Sequence, residues 1–519
     1  MSTTAPQPDL AVTPSGEVLE RRRIIAILTA LLVAQAMAAI EGTVVATALP
    51  TIIGDLGGLN LYTWVFTGYL ITSTATTPLW GKLSDLYGRR HLFHATIVLF
   101  MIGSLLSALS QTMTQLIAFR LVQGLGAGGL FALSMTIMGD VVSPRERGRY
   151  QGYMGGVFAV ATVTGPLVGG LLVDHANWRF VFLISLPLGT IALVMSWRLL
   201  RLPFTTREHV VDYPGAALLV GWVVAFVLGL EWGSAEGWSR PKSFLTLLLG
   251  AIFLGIFVVQ QRRAIEPILP PRVFAERVVS IGSALQFAVG AVMMAASIFG
   301  PLFLQVVVGV DATRSGLLIV PLTLGMLMTS VGSGQIITRT GHYRSFPIIG
   351  SFISAIAMWQ LSTMGVGTDR WAAMARLFLL GTGVGFIMQV VLVAIQNRVS
   401  HADLGVATSA ANFFRSLGQT FGAAILGAVL TARLDIHLAA DLPDSNLDAS
   451  SLQQSPASLR QLAPDVHEGV VSAFASSIHE VFLLTLPMCA IAIVLAIATP
   501  AYPLRTAAAV GGADGPPGH

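Results

Sequence analysis

The chain has 519 residues, of which 54% are hydrophobic and only 11% are charged. Together with a mean hydropathy of +0.75, this composition is typical of a membrane protein and argues against a soluble domain. The formal net charge of +4 at pH 7 does not indicate a nucleic-acid partner, because most of the positive residues lie in segments on one side of the predicted membrane.

Apolar segments of about twenty residues recur along the chain from Ile24 onward, and each is long enough to cross a hydrocarbon core about 30 Å thick. We therefore predict an all-α polytopic membrane protein with fourteen transmembrane helices. The segments are 24–49, 62–80, 91–110, 114–139, 150–173, 178–200, 213–230, 243–260, 279–303, 316–337, 346–364, 371–396, 405–430 and 478–500.

The amino-terminal tail, residues 1–23, is polar, lacks a cleavable signal pattern and ends in three consecutive arginines. We expect it to be disordered and cytoplasmic. In that orientation, 20 of the 30 Lys and Arg residues lie in inside loops and tails, whereas 7 lie outside. This bias follows the positive-inside rule and predicts that both termini are cytoplasmic.

Internal repeats divide the chain into two related halves. The stretch GKLSDLYGRRH, residues 81–91, is matched by GQIITRTGHYR, residues 334–344, and RLVQGLGAGG from Arg120 resembles RLFLLGTGVG from Arg376. We therefore predict parallel six-helix halves with a substrate path between them. The predicted units are the tail 1–23, the first half 24–200, two inserted helices with a cytoplasmic linker 201–278, the second half 279–500 with an external loop 433–477, and a cytoplasmic tail 501–519. We expect some helix within the external loop, over 458–478.

Patterns for metal, nucleotide or cofactor binding are missing from the sequence. Cys489 is the single cysteine, and the ten histidines form no ligand spacing, so we predict neither a disulfide nor a metal site. Gly124, Gly126 and Gly129 match a dinucleotide pattern, but they lie in an apolar helix and follow no strand. The sequence shows neither a phosphate-binding motif nor a nucleophile paired with a general base. We therefore expect a transporter rather than an enzyme, with no cofactor and with the proton as coupling ion.

The turn between the second and third spans, GKLSDLYGRR, combines Gly81, Asp85, Gly88, Arg89 and Arg90. It resembles the loop signature of the major facilitator superfamily, G-x-x-x-D-[RK]-x-G-[RK]-[RK], with a leucine at one basic position. The resemblance implies the major facilitator fold, two six-helix repeats plus two inserted helices. It also implies that the aspartate pairs with arginine and faces a helix end of the other half, as a conformational latch. The alternative is plain positive-inside charge.

The fifth span resembles the signature of exporter-type members, G-x8-G-x3-G-P-x2-G-G. The match lies at Gly152, Gly165, Pro166, Gly169 and Gly170, with alanine replacing one glycine. Small residues let helices approach closely, and proline bends a helix, so this segment is predicted to form a pliable seam between the halves. The resemblance ties the motif to antiporters, whereas ordinary helix packing is the alternative.

Glu41 interrupts the first apolar segment. A charged carboxylate at the membrane centre costs about 2.5 to 3.5 kcal/mol on insertion scales, so it usually faces a cavity or a partner. The segment IEGTVVATALP resembles the first-span signature of fourteen-spanner drug:proton antiporters, L-D-x-T-V-V-N-V-A-L-P, with Glu41 in the aspartate position. The resemblance implies that Glu41 carries the coupling proton. The alternative is a structural carboxylate bonded to a neighbouring helix.

Arg120 is a second ion within a span, and with Gln123 it matches the family pattern R-x-x-Q-G. Its permanent charge can stabilise a deprotonated carboxylate and so tune the proton site. The sequence does not identify its partner. Arg376 and Arg415 also lie within predicted spans, and each can be interfacial or internal.

We predict a proton-coupled carrier that exports drugs or other amphiphilic small molecules by alternating access. The alternatives are a facilitator or exporter of one endogenous metabolite or lipid, and a ligand sensor on the same scaffold. We expect a monomer in the bacterial inner (plasma) membrane, in contact with lipids. The candidate substrate-binding residues are polar or aromatic and lie within spans: Gln35, Trp64, Tyr69, Gln123, Gln286, Gln389, Asn412 and Phe413.

Overall fold

The computed structural model describes residues 10–12, 18–56, 62–142, 144–200, 212–237, 240–310, 312–400, 403–442 and 464–504. Over these residues the protein is almost wholly helical, which confirms the predicted all-α class. The helices are α1 (Arg21–Leu56), α2 (Tyr62–Tyr87), α3 (Arg89–Ala108), α4 (Met113–Val141), α5 (Pro144–His175), α6 (Arg179–Leu183), α7 (Ser185–Leu199), α8 (Tyr213–Glu236), α9 (Pro241–Arg263), α10 (Pro271–Ala275), α11 (Arg277–Val306), α12 (Ala312–Thr340), α13 (Ser345–Ser362), α14 (Arg370–Arg398), α15 (Leu404–Asp441) and α16 (Pro464–Ala498).

Among the described residues, 12 helical segments are long and apolar enough to cross a membrane, and α6 and α7 together form one of them. The fourteen predicted spans include two more, α2 and α5, which are not among these 12 segments. Helix α2 carries many Thr, Ser and Tyr residues, and α5 begins with the polar run PRERGRYQ.

The helices form two groups that pack against each other. In the first group, α4 packs on α2 and α3, and α1 packs on α5 and α7. In the second group, α14 packs on α12 and α13, while α11 packs on α15 and α16. The groups meet where α5 packs on α12 and where α2 packs on α15. The pair α8 and α9 lies beside this boundary, because α8 contacts both α2 and α15.

Glycines allow close approach of helices at equivalent places in both groups. Gly128 of α4 lies against the backbone carbonyl of Ser73 on α2, and Gly385 of α14 lies against that of Met326 on α12. A side chain at either glycine would collide with the neighbouring backbone. Close helix contact through small residues supplies the van der Waals packing that holds membrane helices together.

Two segments differ from the sequence prediction. The tail was expected to be disordered, but Leu10–Val12 and Val18–Glu20 pair as an antiparallel two-stranded ladder. The external loop was predicted over 433–477, with some helix over 458–478. In the structure α15 continues to Asp441, beyond the predicted start of the loop, and α16 begins at Pro464, within the predicted helical part. Polar contacts account for this extension, because Glu480 lies 2.8 Å from Arg433 and 3.0 Å from His437. Hydropathy detects only the apolar part of such helices.

Candidate functional site

Glu41 on α1 and Arg120 on α4 form an ion pair inside the first helix group. The Nη1 atom of Arg120 lies 2.5 Å from Oε1 of Glu41, and both side chains are 1% exposed. Gln123, one turn further along α4, donates a hydrogen bond to the other carboxylate oxygen of Glu41. The Oε1 atom of Gln123 also accepts a bond of 2.8 Å from Arg120. We call Glu41, Arg120 and Gln123 the buried ion cluster.

Helix α2 supplies two further contacts to Arg120. Its Nε atom donates a 3.2 Å hydrogen bond to the backbone carbonyl of Val65. The ring of Tyr69, one turn later, lies 4.3 Å from the guanidinium carbon, which is a cation–π contact. One nitrogen, Nη2, has no hydrogen-bond partner among the described residues. The guanidinium is therefore held by residues of three helices.

This arrangement compensates two charges that would otherwise be costly to bury. A buried ion pair offsets its desolvation only when its geometry is good and the remaining polar atoms are bonded. Here both oxygens of Glu41 receive a hydrogen bond, so the charged form is well matched to its surroundings. A proton on Glu41 would remove one of the two charges and weaken the pair, leaving Arg120 with its α2 contacts.

A second cluster joins the two helix groups at the end of the bundle that carries the α2–α3 turn, here called the α2–α3 end. Arg89 lies 3.0 Å from Asp85 and 2.5 Å from Asp140, which is at the end of α4. The second oxygen of Asp85 accepts a 3.1 Å hydrogen bond from the backbone N–H of Val406. Because Val406 lies in the first turn of α15, the carboxylate meets an unpaired N–H at the positive end of a helix dipole.

Glycines make this contact between α2 and α15 possible. A side chain at Gly81 would collide with Ser409, and one at Gly405 would collide with the carboxylate of Asp85. Gly88 has a φ of 90°, in the left-handed region that glycine adopts readily, and it forms the turn into α3. Arg90 lies outside this contact, because it donates a 2.9 Å bond to the carbonyl of Trp197 on α7.

The glycine motif of α5 faces two different helices. Gly152 packs against the backbone of Val331 on α12, so the start of the motif does lie between the two groups. Gly165 instead packs against Thr43 on α1, within the first group. Gly169 is buried, whereas no described atom lies within 4 Å of the position that a side chain at Gly170 would occupy. The side chain of Pro166 lies outside the described residues.

A cavity of about 280 Å³ lies between the two groups. Its wall includes Tyr69, so the cavity borders the buried ion cluster through this ring. Residues of α2, α4, α5, α11, α12, α14 and α15 contribute, and four of them are methionines: Met293, Met294, Met326 and Met388. A concave site with mostly apolar walls and a few polar groups is the usual form of a small-molecule pocket.

The structure separates the candidate substrate residues into different environments. Only Tyr69 and Gln389 line the cavity, and Gln123 belongs to the buried ion cluster. Gln286 donates a 2.8 Å bond to the carbonyl of Met388, and Asn412 bonds to Thr408 and Arg415. Trp64 and Phe413 pack in an apolar core with α8. Gln35 is fully buried, with no side-chain partner among the described residues.

Two features of these sites were missed by the sequence interpretation, and a third was left unassigned. Asp140 was not singled out, although an aspartate after the apolar run MTIMG is a local signal. The cavity methionines were also overlooked, because methionine is frequent in any apolar helix. Arg415 was noticed without an assignment, and it lines the cavity. Among the described residues, no three His, Cys, Asp or Glu side chains are grouped to hold a metal.

Comparisons with known proteins agree with this architecture. The sequence profile of the Major Facilitator Superfamily matches residues 31–423. A Mycobacterium tuberculosis protein named as an uncharacterized MFS-type transporter is 37% identical over 97% of this chain and 73% of its own length. The Multidrug transporter protein MdtP of Bacillus subtilis is 35% identical, over 87% of this chain and 86% of its own length.

A solved structure shows the same fold. The human organic anion transporter MFSD10 (TETRAN) superposes with a TM-score of 0.61, over 90% of this chain and 99% of that chain, at 14% sequence identity. At this sequence identity, the comparison shows that the two proteins share a fold. Since the family profile covers most of the chain and the relatives are transporters rather than enzymes, this protein is a membrane transporter of the Major Facilitator Superfamily.

Proposed function

We propose that this transporter exports amphiphilic small molecules and that inward movement of protons drives the export. The observation that carries the proposal is the buried ion cluster, whose carboxylate lies next to a wall of the central cavity through Arg120 and Tyr69. Relatives named as a multidrug transporter and a multidrug resistance protein support export and a broad substrate range.

Glu41 is the proposed proton carrier. When it is charged, it holds Arg120 and Gln123 in place. When it takes up a proton, the ion pair weakens, and the guanidinium becomes free to move toward its contacts on α2. Because Tyr69 stacks on that guanidinium and lines the cavity, such a movement changes the shape of the cavity wall. Protonation from outside would thus release substrate, and deprotonation toward the cytoplasm would restore affinity.

The second cluster is the proposed conformational latch. Its contact between Asp85 and Val406 joins the two groups at one end of the bundle only, and alternating access requires that this end opens and closes. The positive-inside bias places the α2–α3 end in the cytoplasm, with both termini on that side. We further propose that α2 and α5 cross the membrane with the 12 hydropathy-defined segments, which gives fourteen spans in the bacterial plasma membrane.

The decisive experiment uses purified protein in vesicles with an acidic interior that contain a pH-sensitive dye. Adding substrate outside should draw protons out of the lumen in exchange for substrate. A panel of neutral and anionic amphiphilic dyes serves as the set of candidate substrates. Glu41→Gln should abolish proton movement while substrate binding is retained.

Glu480→Gln is the matched control, because it removes a carboxylate from an ion pair outside the buried ion cluster. That variant should exchange protons like the native protein. Proton-driven export that continues unchanged in Glu41→Gln would refute the assigned proton site. If the native protein transports substrate at the same rate with and without the proton gradient, proton coupling is refuted altogether.

A further inference from the structure

Arg415 on α15 brings a positive charge to the wall of the central cavity. Its Nη2 atom donates a 3.2 Å hydrogen bond to Oδ1 of Asn412, and Nη1 lies 3.8 Å from the sulfur of Met388. Its Nε atom has no partner among the described residues. No Asp or Glu side chain in the part of the chain that the structure describes forms an ion pair with this guanidinium.

Two other largely buried arginines have carboxylate partners. Arg120 pairs with Glu41, and Arg89 pairs with Asp85 and Asp140. An uncompensated charge inside the membrane is costly, and residues of this kind usually face a pathway or a partner. The described residues that line the cavity include no Asp or Glu. The charge of Arg415 is thus available to a molecule that enters the cavity.

The remaining wall suits the apolar part of such a molecule. Four methionines lie around the cavity, and their flexible, polarisable side chains adapt to differently shaped apolar groups. Gln389, Ser416 and Gln419 add neutral hydrogen-bonding groups. The volume of about 280 Å³ is near the lower end of the usual range for small-molecule pockets.

We propose that the cavity selects amphiphiles that carry a carboxylate or sulfonate group, which binds to the guanidinium of Arg415 while the apolar body packs among the methionines. Cationic amphiphiles are disfavoured, because the described lining of the cavity offers them a like charge and no acidic side chain. This inference rests on the proposed function, since it names the substrate class of the same transporter.

Two dyes with the same aromatic frame test the proposal. Anilinonaphthalene sulfonate carries the anionic group, whereas phenylnaphthylamine lacks it. Binding of each dye is measured to the full-length protein in nanodiscs of uncharged phosphatidylcholine, with empty nanodiscs subtracted. Arg415→Gln should weaken binding of the sulfonate by about tenfold or more, as expected for the loss of a charged hydrogen-bonded contact. Phenylnaphthylamine should bind as before.

Two further variants keep the result interpretable. Arg415→Lys retains the charge but not the forked donor geometry, so it should recover part of the sulfonate affinity. Arg376→Gln removes an arginine that does not line the cavity, so it should leave both dyes unaffected. Equal affinity of Arg415→Gln and native protein for the sulfonate, or equal losses for both dyes, would overturn the proposal.

The binding measurement requires no ion gradient. A transporter whose export does not use protons would still distinguish the two dyes. Conversely, a protein that exchanges protons for neutral dyes but binds both dyes equally would retain the proposed function and lose this substrate class.

Discussion

The ring of Tyr69 lies 4.3 Å from the guanidinium carbon of Arg120 while the same side chain lines the central cavity. No other described residue of the cavity wall stacks on a member of the buried ion cluster. This contact therefore connects the proposed proton site directly to the proposed substrate site. The contact is made by the aromatic ring of Tyr69 and not by its hydroxyl group, so variants can test the two parts of the side chain separately.

Tyr69→Phe should keep proton exchange close to the native rate, because the ring that stacks on Arg120 is retained. Tyr69→Leu should reduce it by about tenfold, since a desolvated cation–π contact contributes up to about 2 kcal/mol. The measurement is substrate-induced proton movement in vesicles. Tyr150→Leu is the control, because it removes a ring that stacks on Arg149 away from the cavity. Equal effects of the Phe and Leu variants would contradict a role for stacking.

Asp85→Ala should open the α2–α3 end of the bundle, because it removes the acceptor for the Val406 N–H and one partner of Arg89. Spin labels on His91 and Thr340, which are exposed at this end on different helix groups, report the separation by pulsed electron resonance. The background carries Cys489→Ser, since this is the single native cysteine. We expect a longer and broader distance distribution.

The control for this measurement is Asp55→Asn. Asp55 accepts a 2.8 Å bond from Trp178, so its contact lies within the first helix group. The label separation should stay native in that variant. An unchanged distribution in Asp85→Ala would show that the contact with α15 does not hold the two groups together.

Gly81→Ala should slow transport by about tenfold, because the added methyl group collides with Ser409 and prevents the close contact of α2 with α15. A tenfold change in rate corresponds to about 1.4 kcal/mol. Ser409→Gly removes the opposing side chain, so the double variant should recover much of the activity. Rescue is measured as the transport rate of the double variant relative to each single variant. Strictly additive losses would exclude a steric contact between these positions.

The sequence identified the charged members of the site individually but not their pairing. Glu41 and Arg120 stood out because ions are rare in apolar segments, and they are 79 residues apart in the chain. Their pairing depends on how α1, α2 and α4 pack, which single-sequence periodicity does not determine. The same limit applies to Asp140, whose partner Arg89 lies on another helix. Helix positions were predictable because membrane spans require long apolar segments.

Aromatic residues within spans were harder to interpret, because packing and binding use the same side chains. Phe413 was selected as a substrate residue, but it is 1% exposed and does not line the cavity. Its ring lies 5.9 Å from that of Trp222 on α8 and 5.6 Å from that of Phe414. No local pattern distinguishes this residue from Tyr69, which does line the cavity.

Phe413→Ala should therefore reduce stability and leave dye affinity close to native. Removing a buried phenylalanine costs about 3 to 5 kcal/mol in protein cores, and here the lost contacts hold α8 against α15. Cys489 is 1% exposed, so the rate at which it reacts with a thiol-specific dye during heating reports unfolding. Gln389→Ala is the counterpart, because Gln389 lines the cavity and should change affinity more than thermal unfolding. If Phe413→Ala unfolds like the native protein but binds the dyes poorly, the prediction is wrong and Phe413 contributes to substrate binding.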